Sequence, residues 1–169
     1  MYSIRPAVPD DASAIAEVNI ASWRAAYKDL IPDGVLDELT VPVLSRRWLK
    51  EVATPDPPHA RLVVVEDERG VTGFARFGPA RDPDSIEERT TGELYGFYLH
   101  PDVWGRGAAR ALMDGILAEL RDEGLEHVTL NVVAGNERAR SFYEHLGWTL
   151  DKEAAPWFGA RQFRYRKEL

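Results

Sequence analysis

The sequence contains no cysteine, and only four of its 21 basic residues are lysines. The missing cysteines exclude disulfide bonds, thiolate metal sites and a cysteine nucleophile. No stretch approaches the roughly 18 consecutive apolar residues that a membrane-spanning helix needs. The opening residues, MYSIRPAVPDD, carry no apolar signal core. We therefore expect no membrane association and, by default, a cytoplasmic location.

Clusters of positive charge are also lacking. The formal net charge is −7, and no block of lysine and arginine typical of nucleic-acid binding occurs. Nucleic acid is therefore an unfavourable partner. An acidic protein can attract a cationic substrate over long range, although many proteins are acidic for solubility alone. The four histidines are scattered without metal-ligand spacing, so we expect no metal.

What the sequence does have is the composition of an ordinary globular protein. Its 169 residues are 44% apolar and 29% charged, which is enough chain and enough apolar surface for one packed core. We therefore expect residues 1–169 to form a single domain.

The hydrophobic pattern predicts the element order β, α, α, β, β, β, α, β, α, β, β. Runs at 61–66 and 71–77, separated by a turn signal, predict a hairpin. A strand at 93–99, a helix and a strand at 127–132 predict a right-handed parallel crossover. The polar residues 81–91 predict a mobile loop, and the last two strands are expected at 149–151 and 161–166. The fold class is α/β (α+β), with about four helices flanking a mixed, mostly antiparallel sheet of about seven strands.

The most informative stretch is YGFYLHPDVWGRGAARALM, residues 95–113. A strand ends, a bend with Gly105 and Gly107 follows, and a helix begins at once. Such a bend leaves backbone N–H groups free at the positive end of the helix dipole, where they can bind an anion, above all a phosphate. Glycine lets a ligand approach the backbone closely. A tight turn without any ligand is the alternative.

Two familiar nucleotide motifs fit this bend poorly. A dinucleotide fingerprint needs a third glycine, which residues 109–111 do not supply. A nucleoside triphosphate loop needs Gly-Lys-Ser/Thr, which is absent. A pyrophosphate held by backbone amides, without lysine or metal, fits best.

The bend resembles the acetyl-coenzyme A signature of the GNAT superfamily of N-acetyltransferases, Arg/Gln-x-x-Gly-x-Gly/Ala. Gly107 and Ala109 match its two small positions, whereas Trp104 stands where arginine or glutamine is usual. This departure removes a polar side chain but leaves the backbone amides. The segment from Asn131 to Trp148 is similar to the family pattern N-x-x-A-x-x-x-Y-x-x-x-G-[FW], and AVPDDASAIAEV resembles the family's first strand and helix. These matches cover most of the chain in the family's order, so the resemblance implies the GNAT fold.

The resemblance implies that acetyl-coenzyme A is the co-substrate. Backbone groups of Phe97, Tyr98 and Leu99 should pair with the pantetheine arm like an added strand. Asn136 should hydrogen-bond the same arm, although it also suits a helix N-cap. The other expected coenzyme-binding residues lie in the bend and on the last helix: Trp104, Gly105, Arg106, Gly107, Ala108, Ala109 and Arg140.

Two residues are candidates for proton transfer. The resemblance places the Tyr143 hydroxyl near the coenzyme sulfur, where it can protonate the leaving thiolate. The alternative is a core aromatic residue paired with Phe142. Glu93 lies on the strand where some family members carry a catalytic glutamate, so we take it as the candidate general base. The alternative for Glu93 is an ordinary solvent-exposed glutamate.

The acceptor side is harder to identify. Trp23 and Tyr27 are spaced i, i+4 on one helix face, so they can wall a pocket and favour an amine by cation–π contact, or simply fill the core. Tyr95 can hold a water chain or fill core space. Trp157 and Phe158 can close the other side of the pocket.

These features favour an enzyme that transfers acetyl directly from acetyl-coenzyme A to the amine of a small molecule. Two alternatives remain open at this stage. One is a protein or peptide acceptor, and the other is a GNAT-like module that binds acyl-coenzyme A without catalysis. Monomer and homodimer both remain open.

Overall fold

The computed structural model describes all residues 1–169 and contains one seven-stranded sheet of order β1-β2-β3-β4-β5-β7-β6. The β4–β5 pair is parallel and every other neighbouring pair is antiparallel. The predicted hairpin and parallel crossover are confirmed. The strands are β1 Ser3–Pro6, β2 Arg61–Asp67, β3 Gly70–Pro79, β4 Thr91–Leu99, β5 His127–Val133, β6 Thr149–Trp157 and β7 Ala160–Glu168.

Six α-helices accompany the sheet, two of them only five residues long. The fold class predicted from the sequence is confirmed, with the two short helices added to the four expected. The helices are α1 Ala12–Tyr27, α2 Asp33–Asp37, α3 Val41–Ala53, α4 Pro83–Glu87, α5 Ala108–Asp122 and α6 Glu137–His145. None of them is both long enough and apolar enough to cross a bilayer.

The sheet carries a separate core on each face. Successive strand side chains point to opposite faces, and β2 shows this directly: Val63 and Val65 join the larger core, whereas Val64 joins the other. The larger core packs the apolar stripe of α5 together with Tyr143 and Trp148. The second core packs α1 and α3 against the opposite face. One face of the sheet is therefore covered by α5, and the other face is covered by α1 and α3.

The parallel pair β4–β5 separates part-way along its length. Pairing runs from Thr91 opposite His127 to Leu94 opposite Leu130, and there it stops. On the other side of β4, the register with β3 shifts between Arg76 opposite Gly96 and Phe77 opposite Leu94, so Tyr95 is an extra, bulged residue. A β-bulge bends its strand and interrupts the ladder. The bend directs β4 away from β5 and opens a cleft between them.

The expectation of a mobile loop at residues 81–91 is wrong for its central part, which forms α4 and is tied to β7. Arg164 is 4% exposed, and its guanidinium donates bidentately to Asp84 at 2.8 Å and to Asp151 at 2.6 Å. It also reaches Asp82 at 3.2 Å. The sequence could not indicate the contacts with Asp82 and Asp84, because these residues lie about 80 positions from Arg164.

The last hairpin is longer than predicted. Strands were expected at 149–151 and 161–166, whereas β6 and β7 have nine residues each. Phe158 and Gly159 form their turn with positive φ values of 47° and 79°. The longer hairpin carries Trp157 to the C-terminal end of α1, where it meets Trp23 and Tyr27.

We predict that Arg164→Met lowers the free energy of unfolding by about 2 kcal/mol. Removing the cation leaves three neighbouring carboxylates, and their partial exposure moderates the 3–5 kcal/mol typical of a broken buried pair. Thermal unfolding should show a fall in melting temperature of roughly 4–8 °C. An unchanged melting temperature would mean that Arg164 does not hold the α4 segment.

The same substitution should reduce the amount of unfolding free energy that the protein loses when the pH falls. Hydrogen bonds from Arg164 and Lys152 hold the pKa of Asp84 well below its usual value. A depressed carboxylate pKa contributes stability above the unfolded-state pKa of about 4 and loses it as the pH falls. Urea unfolding between pH 6 and pH 2.5 should therefore show a smaller loss of stability in Arg164→Met than in the unaltered protein.

Candidate active site

A cavity of about 530 Å³ occupies the cleft between β4 and β5. Its walls come from the separated parts of the two strands, the C-terminal half of α1, the glycine bend and the start of α6. Fifteen of its 22 lining residues are hydrophobic. A mostly apolar cleft with a few polar groups is typical of a small-molecule site. Nine of the residues predicted for the site line it: Tyr27, Tyr95, Phe97, Tyr98, Leu99, Trp104, Ala109, Asn136 and Tyr143.

The backbone of Phe97, Tyr98 and Leu99 forms one edge of this cavity. These residues pair with β3 on one side and have no partner in β5 on the other. Strand edges offer N–H and C=O groups to an extended ligand. The predicted edge-pairing surface is therefore present.

The glycine bend adjoins the cavity through Trp104 and Ala109, whereas Gly105, Gly107 and Ala108 are not part of the cavity wall. Gly105 and Gly107 have φ values of +72° and +92°, and a Cβ built on either would meet no atom within 4 Å. The N–H groups of Gly107, Ala108 and Ala109 have no backbone acceptor, and the first donor into the helix is Ala111. Free N–H groups, open space and the start of a 15-residue helix suit an anion.

Trp104 and Arg138 form a contact across the mouth of the cleft. The Trp104 Nε1 donates to the Leu99 carbonyl at 3.0 Å, and the Arg138 guanidinium lies over the indole ring at 4.6 Å. Both residues line the cavity. Sequence reasoning missed Arg138. Only its position two residues after Asn136 could have pointed to Arg138, and an arginine near a helix start is too common to identify a binding residue.

The arginines that sequence reasoning selected lie elsewhere. Arg140 donates to the Tyr165 hydroxyl at 3.2 Å and to the Ala134 carbonyl at 3.0 Å, and it does not line the cavity. Arg106 is exposed at the bend. Neither Arg106 nor Arg140 contributes to the cavity wall, because both point away from the cleft or into another contact.

Asn136 caps the N-terminus of α6, which was the alternative role considered for it, and it also lines the cavity. Its side-chain oxygen accepts a hydrogen bond from the Ala139 N–H at 3.2 Å, so it is the N-cap of α6. The amide nitrogen has no hydrogen-bond partner in the protein. The cap therefore fixes the orientation of the amide and leaves its NH₂ group available.

Tyr143 lies deep in the cleft within an aromatic cluster. Its ring centroid lies 6.4 Å from Phe97, 5.6 Å from Phe142 and 5.9 Å from Trp148. The hydroxyl makes no hydrogen bond within the protein, and the residue lines the cavity. Burial raises the pKa of Tyr143 well above its usual value of about 10. The side chain is thus a core aromatic residue that also presents a protonated hydroxyl to the cavity.

Glu93 lies outside the cavity wall and pairs with Arg81. Its carboxylate accepts hydrogen bonds from the Arg81 N–H at 2.8 Å and from Nη2 at 2.6 Å. The Glu93 side chain is 8% exposed. Its interpretation as a solvent-exposed glutamate is therefore wrong, and any proton transfer to it from the cleft has to pass through an intermediate group.

Tyr95 lines the cavity and shares Arg81 as a neighbour with Glu93. The bulge places its ring between the guanidinium groups of Arg76, at 5.0 Å, and Arg81, at 4.2 Å. Its hydroxyl donates to the Pro79 carbonyl. Burial and the charge of Glu93 raise the pKa of Tyr95 to about 12.

The predicted acceptor-side aromatic residues do come together. Trp157 packs against Trp23 at 4.9 Å and against Tyr27 at 5.0 Å, and Tyr98 contacts Trp23 at 5.9 Å. Tyr27 lines the cavity, whereas Trp23 supports Tyr27 from behind and does not line it. Burial raises the pKa of Tyr27. The cluster is therefore one wall of the cavity rather than an open aromatic box.

Comparison with known proteins agrees with this geometry. Residues 22–148 match the model of the acetyltransferase (GNAT) family. The uncharacterized N-acetyltransferase YuaI of Bacillus subtilis is 36% identical over 114 residues, which are 67% of this chain and 61% of YuaI, less than two thirds of that protein. The L-amino acid N-acyltransferase MnaT of Escherichia coli is 31% identical over 150 residues, covering 88% of this chain and 80% of MnaT.

The fold is also shared with solved structures. The PaiA N-acetyltransferase of Thermoplasma acidophilum, crystallised in complex with coenzyme A, superposes with a TM-score of 0.83. The superposition covers 100% of this chain and 99% of PaiA, at 16% sequence identity. With the matches to the signature segments and the family model, the chain belongs to the GNAT acetyltransferase family.

Proposed function

We propose that residues 1–169 form one domain that transfers acetyl directly from acetyl-coenzyme A to the amine of a small molecule. The observation that carries this proposal is the cavity between β4 and β5. The cavity lies beside a glycine bend with free N–H groups, and the unpaired Tyr143 lines its interior. The coenzyme A bound in PaiA and the acyltransferase name of MnaT also support it.

Acetyl-coenzyme A, the acetyl donor, would lie along the unpaired edge of β4. The free N–H groups of residues 107–109 would hold its pyrophosphate, and the backbone of residues 97–99 would pair with its pantetheine arm. The amide of Asn136 would donate to the same arm. This arrangement brings the thioester toward Tyr143 without any covalent intermediate on the enzyme.

Acetyl transfer then requires a neutral amine and a stabilised leaving group. The amine nitrogen attacks the thioester carbonyl carbon, the C–S bond breaks, and the thiolate takes a proton from the Tyr143 hydroxyl. Burial raises the pKa of Tyr143, so this hydroxyl is protonated at neutral pH and would donate a hydrogen bond to the sulfur as its negative charge develops. Because a thiol with a pKa of about 8.5 is a stronger acid than Tyr143, the proton would move while the C–S bond breaks, and solvent would then return a proton to Tyr143.

The proton lost by the amine needs a route out of the cleft. An alkylammonium has a pKa of about 10.4, so a base assists at neutral pH. We assign this role to Glu93, reached through water beside Tyr95, because Tyr95 lines the cavity and Arg81, which binds Glu93, stacks on the Tyr95 ring. Arg81 holds the carboxylate in place.

A small-molecule amine fits the end of the cavity lined by Tyr27 and Tyr95 better than a peptide or protein chain. Tyr27 and Tyr95 line this end of the cavity, and Trp23 and Trp157 back Tyr27. The hairpin that carries Trp157 covers the cluster from outside. The aromatic ring of Tyr27 would also favour a cationic amine before its deprotonation.

Acetyl-coenzyme A should stabilise the protein. A ligand at 100 times its dissociation constant adds about 2.7 kcal/mol to the folded state, so the melting temperature should rise by roughly 5–10 °C. Differential scanning fluorimetry with acetyl-coenzyme A, and with adenosine as a control, measures this. No shift at millimolar acetyl-coenzyme A would overturn the proposed function.

Tyr143→Phe should lower kcat by about 10²-fold or more, because general acid catalysis typically contributes 10²–10⁴-fold. The dissociation constant of coenzyme A should stay within about twofold, since the ring remains. The reaction is followed by thiol release, with the acceptor chosen from a panel of polyamines, aminoglycosides, amino acids and peptides.

Tyr165→Phe is the matched control for this experiment. Its hydroxyl bonds to Glu144 at 2.6 Å, and it does not line the cavity. Its loss should lower stability and spare kcat. Equal kcat values for Tyr143→Phe and the unaltered enzyme would remove Tyr143 from the chemistry.

Glu93→Gln tests the base separately. If Glu93 receives the proton, the acid limb of the pH profile of kcat/KM disappears or shifts by about one unit or more. Gln still accepts a hydrogen bond from Arg81, so the segment that Arg81 anchors should stay folded. An acid limb that stays in place would leave Glu93 only as the structural partner of Arg81.

A further inference from the structure

Arg138 stands out among the arginines of this chain because it faces the cavity without a carboxylate partner. Nine other arginines make ion pairs with Asp or Glu, which are Arg5, Arg61, Arg69, Arg76, Arg81, Arg110, Arg161, Arg164 and Arg166. Arg138 makes none, and its single specific contact is with the face of Trp104 at 4.6 Å. A guanidinium stacked on an aromatic face keeps its N–H donors free at the edge of the stack.

Trp104 is itself held firmly. Its Nε1 bonds to the Leu99 carbonyl at 3.0 Å, and its ring packs against the larger core. Trp104 immediately precedes Gly105, whereas Arg138 lies in the first turn of α6. The stack therefore joins the two walls of the cleft and holds a positive charge beside the bend with the free N–H groups.

Other cations near the bend are less suited to this role. Arg110 is paired with Asp114 at 2.9 Å, and Arg140 is committed to Tyr165 and Ala134. Arg106 is exposed and does not line the cavity. Among these residues, Arg138 alone combines cavity exposure with free donors, although Glu137 beside it carries a negative charge.

We propose that Arg138 is a phosphate-binding residue of the donor site and that Trp104 is the positioning residue that holds it. This inference rests on the proposed function, since it assumes that coenzyme A occupies the cleft. The bound group is a phosphate of the coenzyme, which is either the pyrophosphate or the 3′-phosphate of the ribose. A guanidinium can bind either one with paired, charge-assisted hydrogen bonds.

The test is calorimetric titration of the whole protein with coenzyme A, 3′-dephospho-coenzyme A and pantetheine. Arg138→Gln should weaken coenzyme A binding by about tenfold and leave pantetheine binding unchanged. A loss that persists with 3′-dephospho-coenzyme A assigns the contact to the pyrophosphate, and a loss confined to coenzyme A assigns it to the 3′-phosphate. Raising the salt concentration should narrow the difference between the two proteins.

Arg46→Gln is the matched control, because Arg46 is an exposed arginine on α3, away from the cavity. It should bind coenzyme A like the unaltered protein. Coenzyme A affinity that is unchanged in Arg138→Gln, or an equal loss for pantetheine, would overturn the proposal. If the unaltered protein binds no coenzyme A, the proposed function itself fails, so the two failures are distinguishable.

A double-mutant cycle tests the role of Trp104. Trp104→Leu should weaken coenzyme A binding by a few-fold, and the double variant should lose no more than Arg138→Gln alone. Trp104→Arg combined with Arg138→Gln returns a guanidinium to the opposite wall and should recover part of the lost affinity. Additive losses in the cycle would show that Trp104 does not act through Arg138.

Discussion

The early end of the β4–β5 ladder is the constraint on which the candidate site depends. If the pairing continued past Leu94 and Leu130, backbone partners would satisfy the edge of residues 97–99 and no cleft would exist. The bulge at Tyr95 in the β3–β4 ladder lies where the β4–β5 pairing ends, so a cavity is built into the middle of a sheet. Unpaired strand edges are normally a liability. Here the edge faces a cleft covered by α1 and α6, which protects it from another chain.

The bulge also connects the two faces of the sheet. The larger core holds α5, Tyr143 and the surroundings of the glycine bend, whereas α1 and the aromatic cluster of Tyr27 and Trp157 lie on the other face. A cleft through the sheet lets two ligands approach each other from different helices.

The sequence predicted the local features well and the long-range ones poorly. The strand, bend and helix at 95–113 follow from neighbouring residues, so the parallel crossover was predictable. The contact of Arg164 with Asp84 was not, since it joins residues 80 apart. The same holds for Glu93, because its local pattern could not reveal Arg81 as a partner, and for Arg138, because it meets Trp104 only after folding.

The folded structure explains how the many arginines of the sequence are used. A net charge of −7 with 17 arginines first suggests cations spread over the surface. The structure shows instead that most of these arginines are neutralised by specific carboxylates, several of which anchor segments around the cleft: Arg81 with Glu93, Arg76 with Glu51, and Arg164 with Asp84. The field inside the cleft is then set by its few unpaired groups rather than by the total charge. Arg138 and the free N–H groups of the bend make one end attractive to anions, whereas Tyr27 at the other end carries no charge. In the proposed reaction, this difference would direct the anionic coenzyme to the bend and leave the other end of the cleft to the acceptor.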